Sequence, residues 1–359
     1  MAYTIIDDPS AYFHIQLYTG NGTAIGSGGN TITNNANSGD FKPDWTWHKV
    51  RSTANDHQVY DSSRGVKIRL NPNATNSDFT LNEGLQSFDT NGFTVGSDGG
   101  VNQSSQTFVA WQWKASGGTT ASNTDGTITS TVQANTTAGF SIATYTGNGS
   151  GGATIGHGLG VAPKWFFVKS RSATGSWIHY HIGTGSTPEN DYLNFTTSGK
   201  GTTSAAWNNT APTTSVASLG SSEEVNGNGT TFVGYFFAEK QGYSKFGSYA
   251  GNSSADGPFI YTGFKPAWIM FKKTSGTDGW GIFDNRRGYQ NATNPLDAYL
   301  QPNNNNAESG ESDSIDFLSN GFKWRISSGF RNESGSTYIY MAFAESPFVS
   351  SEGVPTTAK

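Results

Sequence analysis

"KPDWTWHKVRS" (residues 42–52), "APKWFFVKSRS" (162–172) and "KPAWIMFKKTS" (265–275) decide how this chain is read. Each sets Pro, one spacer and then Trp, which gives Trp45, Trp165 and Trp268. Pro lacks an amide donor and suits the first residue of a strand. In "WFFVK" and "WIMFKK" apolar residues fall on both faces, as a strand covered on both sides requires. Counting ~15 residues on from each Trp reaches an aromatic every time, Tyr60, Tyr180 and Phe283.

Other signals travel with these stretches. "YTGNG" begins at Tyr18 and at Tyr145, with a worn copy, "YAGNS", at Tyr249. Gly and Asn tolerate the positive φ of a tight reversal. The strands "TFVAWQWKA" from Thr107, "TFVGYFFAE" from Thr231 and "TYIYMAFAE" from Thr337 would close three units of about 90 residues, the size of one β-sandwich. Asn91-Gly92 and Asn320-Gly321 read as hairpin turns.

The expected fold is therefore all-β: three tandem antiparallel β-sandwich repeats of jelly-roll or lectin-like kind. Residues 1–115 form the first repeat with an N-terminal attachment segment, 116–138 a linker or extended arm, 139–241 the second repeat, 242–346 the third, and 347–359 a tail along the surface. The six repeated aromatics, Trp45, Trp165, Trp268, Tyr60, Tyr180 and Phe283, are assigned to the repeat core. The loose linker sets the first repeat apart as an anchor. The short "KQGYS" joins the second and third as an outward pair.

Composition narrows the chemistry. The 359 residues contain no Cys, so disulfides, thiolate nucleophiles and Cys-built zinc sites are excluded. A net charge of -5 without a basic cluster argues against nucleic acid as a partner. No apolar run approaches the ~20 residues of a membrane span. The start "MAYTIIDDPS" lacks the features of a signal peptide, so synthesis in the cytoplasm is expected.

Few groups suggest catalysis. The His residues are scattered. His179 and His181 share a strand face and are read as surface imidazoles rather than a chelating pair. "YDSSRG" and "FDNRRG" place Asp61 with Arg64, and Asp284 with Arg287, at the spacing of an ion pair locking a turn, whereas the second unit has His181 in place of the Asp. Glu223, Glu224, Glu308, Glu311, Asp313 and Asp316 are the candidates for a glycosidase pair, and solvated loop charge is their default reading. No catalytic residue, cofactor or metal is expected. Aromatic faces beside amides and carboxylates can hold sugars, and Trp207 and Trp280 have the most loop-like flanks, so these two are the candidate glycan platform.

The repeated P-x-W strand, "YTGNG", "SKFGSYAGNSSADGPFIYTGFKPAWIMFKK", "DFLSNGFK" and "GSTYIYMAFAE" resemble a family of structural proteins of marine tailed phages. The resemblance covers almost the whole chain and brings no catalytic residues. It implies a virion component with lectin-like sandwich modules, in the tail-fibre or capsid-surface class. The expectation is a non-enzymatic receptor-binding component at the virion surface. It would contact other virion proteins and host surface glycans, as a homotrimer because weak glycan sites gain from multivalency. A capsid-decoration or head-fibre protein is the alternative, and a glycan hydrolase or bacterial lectin a weaker one.

Overall fold

The computed structural model describes residues 2–35, 41–288 and 293–355, without the side chains of 311–313. Among these residues the chain is antiparallel β, with only four α-helices, of four residues each. Three inner sheets share one strand order. The first runs Phe13–Thr19, Thr107–Trp113, Trp45–Val50, Gln58–Asp61. The second repeats it with Phe140–Thr146, Thr231–Phe237, Trp165–Ser170, Ile178–His181. The third has Ser244–Ala250, Thr337–Pro347, Phe264–Lys273, Trp280–Asp284.

Side chains alternate across each inner sheet, so one strand serves two cores. Tyr60, Tyr180 and Phe283 face the outer sheet of their own unit, packing with Phe93, Ile155 and Phe322 respectively. Trp45, Trp165 and Trp268 face the other way and meet in one core common to all three units. There Trp113, Phe237 and Phe343, the last aromatics of the three closing strands, form a triangle with centroid separations of 6.4, 5.6 and 5.8 Å. The repeated Trp is thus buried as expected, but between the units instead of inside each sandwich.

This shared core corrects the arrangement in a row. The first unit is not set apart, because Trp45 packs on Tyr235 of the second unit at 4.9 Å and Trp113 on Trp268 of the third at 5.8 Å. Residues 116–138, read as a linker or extended arm, do not run free between units. Ala121–Asn123 and Ser130–Asn135 extend the second sheet, and Ile128 and Val132 enter its core. Their Ser and Thr neighbours hid a strand pattern of low hydrophobicity. The leading residues close the circle: Thr4 donates to Gln241 O (2.9 Å), and Asp7 accepts from Ser351 N (2.6 Å) beside the C-terminal tail.

The repeated pentapeptide has a shared geometry. Tyr18, Tyr145 and Tyr249 stack on Phe108, Phe232 and Tyr338 and donate to Val101 O, Val225 O and Arg331 O. A Cβ on Gly20, Gly147 or Gly251 would lie 2.2, 2.4 or 2.3 Å from a carbonyl oxygen. Asn21, Asn148 and Asn252 receive the side-chain amides of Asn102, Asn226 and Asn332, whose Oδ1 atoms accept from their backbone N–H groups at 2.9, 2.9 and 2.8 Å. The fifth residue has φ of 69°, 73° and 55° at Gly22, Gly149 and Ser253.

Candidate functional site

The polar groups concentrate at three seams between units. Trp177 Nε1 of the second unit donates to Asn71 O of the first at 2.9 Å, Trp280 Nε1 of the third to Asn194 O of the second at 2.8 Å, and His57 Nε2 of the first to Gln301 O of the third at 3.0 Å. Backbone bonds follow the same cycle: Asp78 N to Arg171 O, Lys200 N to Thr274 O and Glu308 N to Arg51 O, at 2.8, 2.9 and 2.8 Å. First clasps second, second clasps third, and third clasps first.

The two Asp–Arg pairs belong to this system. Arg64 Nε lies 2.5 Å from Asp61 and Arg287 Nε 2.6 Å from Asp284, with all four side chains inaccessible. Each Asp also accepts from the next closing strand, Asp61 from Tyr235 Oη (2.6 Å) and Asp284 from Trp111 Nε1 (2.9 Å). The corresponding residue of the third closing strand is Met341, which has no donor, and His181 stands where the Asp would be. His181 Nε2 instead donates to Tyr340 O at 3.1 Å. Acceptor and donor have changed together, so the missing Asp in the second unit has a local reason.

Three lysines also recur. Lys49, Lys169 and Lys272 are buried four residues after each repeated Trp, and their Nζ atoms donate to Val50 O, Ser170 O and Lys273 O at 2.7, 2.9 and 2.9 Å. Burial pulls all three ammonium groups down to about 8. Spacing from the Trp was the signal that could have found them.

Several expected surface groups lie inside. Trp207 and Trp280 are fully buried, their Nε1 atoms bonded to Asp191 O and Asn194 O, so neither ring can offer a face to a sugar. All ten tryptophans are buried. Loop-like flanks misled because a Trp can plug a sandwich from a loop or short helix. His179 and His181 are likewise fully buried, in contrast to the exposed imidazoles expected. Glu308 is held by Arg51 and Arg287, at 2.8 and 3.0 Å, and Asp316 lies 3.6 Å from Arg325. Glu224 accepts from Ser176 N, in a different unit from Glu308. Glu223 sits beside it in the four-residue helix Glu223–Asn226. The side chains of Glu311 and Asp313 lie outside the described residues. Among the described residues no three His, Asp or Glu side chains gather as metal ligands, and no helix is long and apolar enough to cross a membrane.

One concavity draws on all three units. About 310 Å³ in volume, it is lined by Asn73 of the first, Ser176, Trp177, Thr196 and Thr197 of the second, and Asn303 of the third. Phe195 forms its floor, touching Trp47, Trp177 and Trp280 at 5.7, 6.1 and 5.2 Å and so plugging the end of the common core. The lining is neutral, with amides and hydroxyls around aromatic edges. It suits a small polyhydroxyl ligand better than an ion.

Residues 8–347 match the model of a family described as Domain of unknown function (DUF7483). The chain belongs to this family. No curated protein and no solved structure matches the chain. Almost every element described above lies within the DUF7483 match, including the three inner sheets and the seams between them.

Proposed function

We propose that this DUF7483 chain is a non-enzymatic virion-surface protein built as an intramolecular trimer. On this reading three copies of one sandwich module close around a common core, and the chain serves as a receptor-contacting component of a tailed phage. The observation that carries it is the cyclic seam. Aromatic, ionic and His side chains of the type that often form active sites are used to hold unit to unit. The rim is left to loops of Ser, Thr, Asn and Gly, which suit display and hydroxyl recognition. A single chain so arranged supplies the threefold display that a homotrimer would otherwise provide.

The neutral concavity on the common core is the proposed contact for a host glycan. Antibody labelling of virions imaged by electron microscopy tests the location: label at tail or fibre is expected, label confined to the head favours capsid decoration, and unlabelled virions overturn the viral reading. A glycan array tests the contact. Binding that survives N73A/N303A unchanged would remove the concavity from the account.

A further inference from the structure

The third unit carries an open sheet edge that the second unit fills with its own chain. In the second unit the edge strand Ala153–Gly156 pairs with Val216–Leu219 on one side, and the segment around Ile128 covers the other in parallel orientation. Ile128 N donates to Thr154 O at 2.9 Å, Thr127 and Thr154 exchange two side-chain bonds of 2.9 Å, and Ser130 Oγ donates to Gly156 O at 2.8 Å.

Phe259–Tyr261 is the matching edge strand of the third unit, lying outermost in its four-stranded sheet. Trp324 N donates to Pro258 O and Thr262 N to Asn320 O, so the even-numbered residues of this strand face its partner. The amides and carbonyls of Phe259 and Tyr261 therefore point to the open side, where the pattern of the second unit has Thr154 and Gly156. Among the described residues nothing pairs with them there.

The side chains change in the same sense. The first unit has Thr31 and Thr33 at these two places. The third has Phe259 and Tyr261, 46% and 53% exposed, with Ile5 of the leading segment 71% exposed. Tyr3 fixes that segment nearby by donating to Gly263 O at 2.7 Å, with its hydroxyl 3.4 Å from that of Tyr261. An unpaired, aromatic edge is a template for strand addition.

We propose that the edge Phe259–Tyr261 takes an extended arm of a partner protein as an added strand. The chemistry of that arm is given by the segment on the second unit: short, uncharged, with a β-branched apolar residue between Thr and Ser. This inference stands on the edge geometry alone and does not depend on the viral reading.

A synthetic peptide of residues 126–131, GTITST, with blocked ends is the probe, titrated into the isotope-labelled full chain and followed by backbone amide shifts. The expected result is saturable shifts centred on the Phe259 and Tyr261 amides. Binding should weaken about tenfold or more in F259P/Y261P, which removes the two outward amides while the even-numbered residues stay bonded to Gly321–Trp324. The proposal is overturned if the shifts are absent or lie elsewhere, or if F259P/Y261P binds as well as the parent. It is also overturned if sedimentation shows two copies of the chain pairing through this edge.

Discussion

Asn102, Asn226 and Asn332 are the smallest elements on which each unit depends. Each is fully buried and ties the start of its sandwich to a turn near its end. Asn226 donates to Asn148 Oδ1, Ser150 O and Gly220 O while accepting from Asn148 N. An Ala there strands several buried partners, so N226A should lower stability by about 2–4 kcal/mol, measured by urea unfolding. Exposed N252A should cost less, because Asn252 is solvent-accessible and water can replace its side chain. The turn role of Gly and Asn in the pentapeptide was legible from local sequence. The partner Asn, about 80 residues away, was not, because a single buried amide leaves no periodic trace.

At the scale of elements, the seams rank the polar pairs. D61A would leave Arg64 and the Tyr235 hydroxyl buried without their acceptor, an expected loss of about 3–5 kcal/mol. H181A removes a neutral donor and should cost roughly 1–3 kcal/mol. Equal losses in parallel denaturation curves would argue against a seam role for Asp61. The ion pairs were legible because Asp and Arg stand three apart beside a turn Gly, a purely local pattern. Their third partners, Tyr235 and Trp111, come from other units and leave no mark in that pattern. The strands within 116–138 were missed for a related reason: ASN at Ala121–Asn123 and STVQAN at Ser130–Asn135 hold Val132 as their one large apolar side chain, so their apolar signal falls below that of the central strands.

For the whole molecule, pH exposes how much titratable chemistry is interior. Burial lowers the proton affinity of all six imidazoles, His48 and His181 to about 3 from an ordinary 6.5. Below pH 6.5 the unfolded chain therefore binds more protons than the fold, and stability falls as pH drops towards 3, by about 1.4 kcal/mol per unit for each such imidazole. Thermal melts should decline from near pH 6; a flat profile down to pH 4 would contradict this burial. Lys49, Lys169 and Lys272 bind protons less tightly than the ordinary 10.5, so their contribution rises as pH climbs from about 8 to about 10. Buried tyrosines such as Tyr145 and Tyr235, held well above 10, reverse that trend at higher pH.

The common core also sets how the chain comes apart. Removing one unit exposes Trp45, Trp165 or Trp268 with its neighbours on the other two, so no unit has an independent stability to report. Which face of the repeated strand met which core was not legible, because both faces are apolar and periodicity cannot say whether a covering layer belongs to the same sandwich or the next. Differential scanning calorimetry of the full chain addresses this most directly. A single transition, with calorimetric and van't Hoff enthalpies equal, is the predicted result. Two or three separable transitions would mean sandwiches that stand alone, and the closed ring would be wrong.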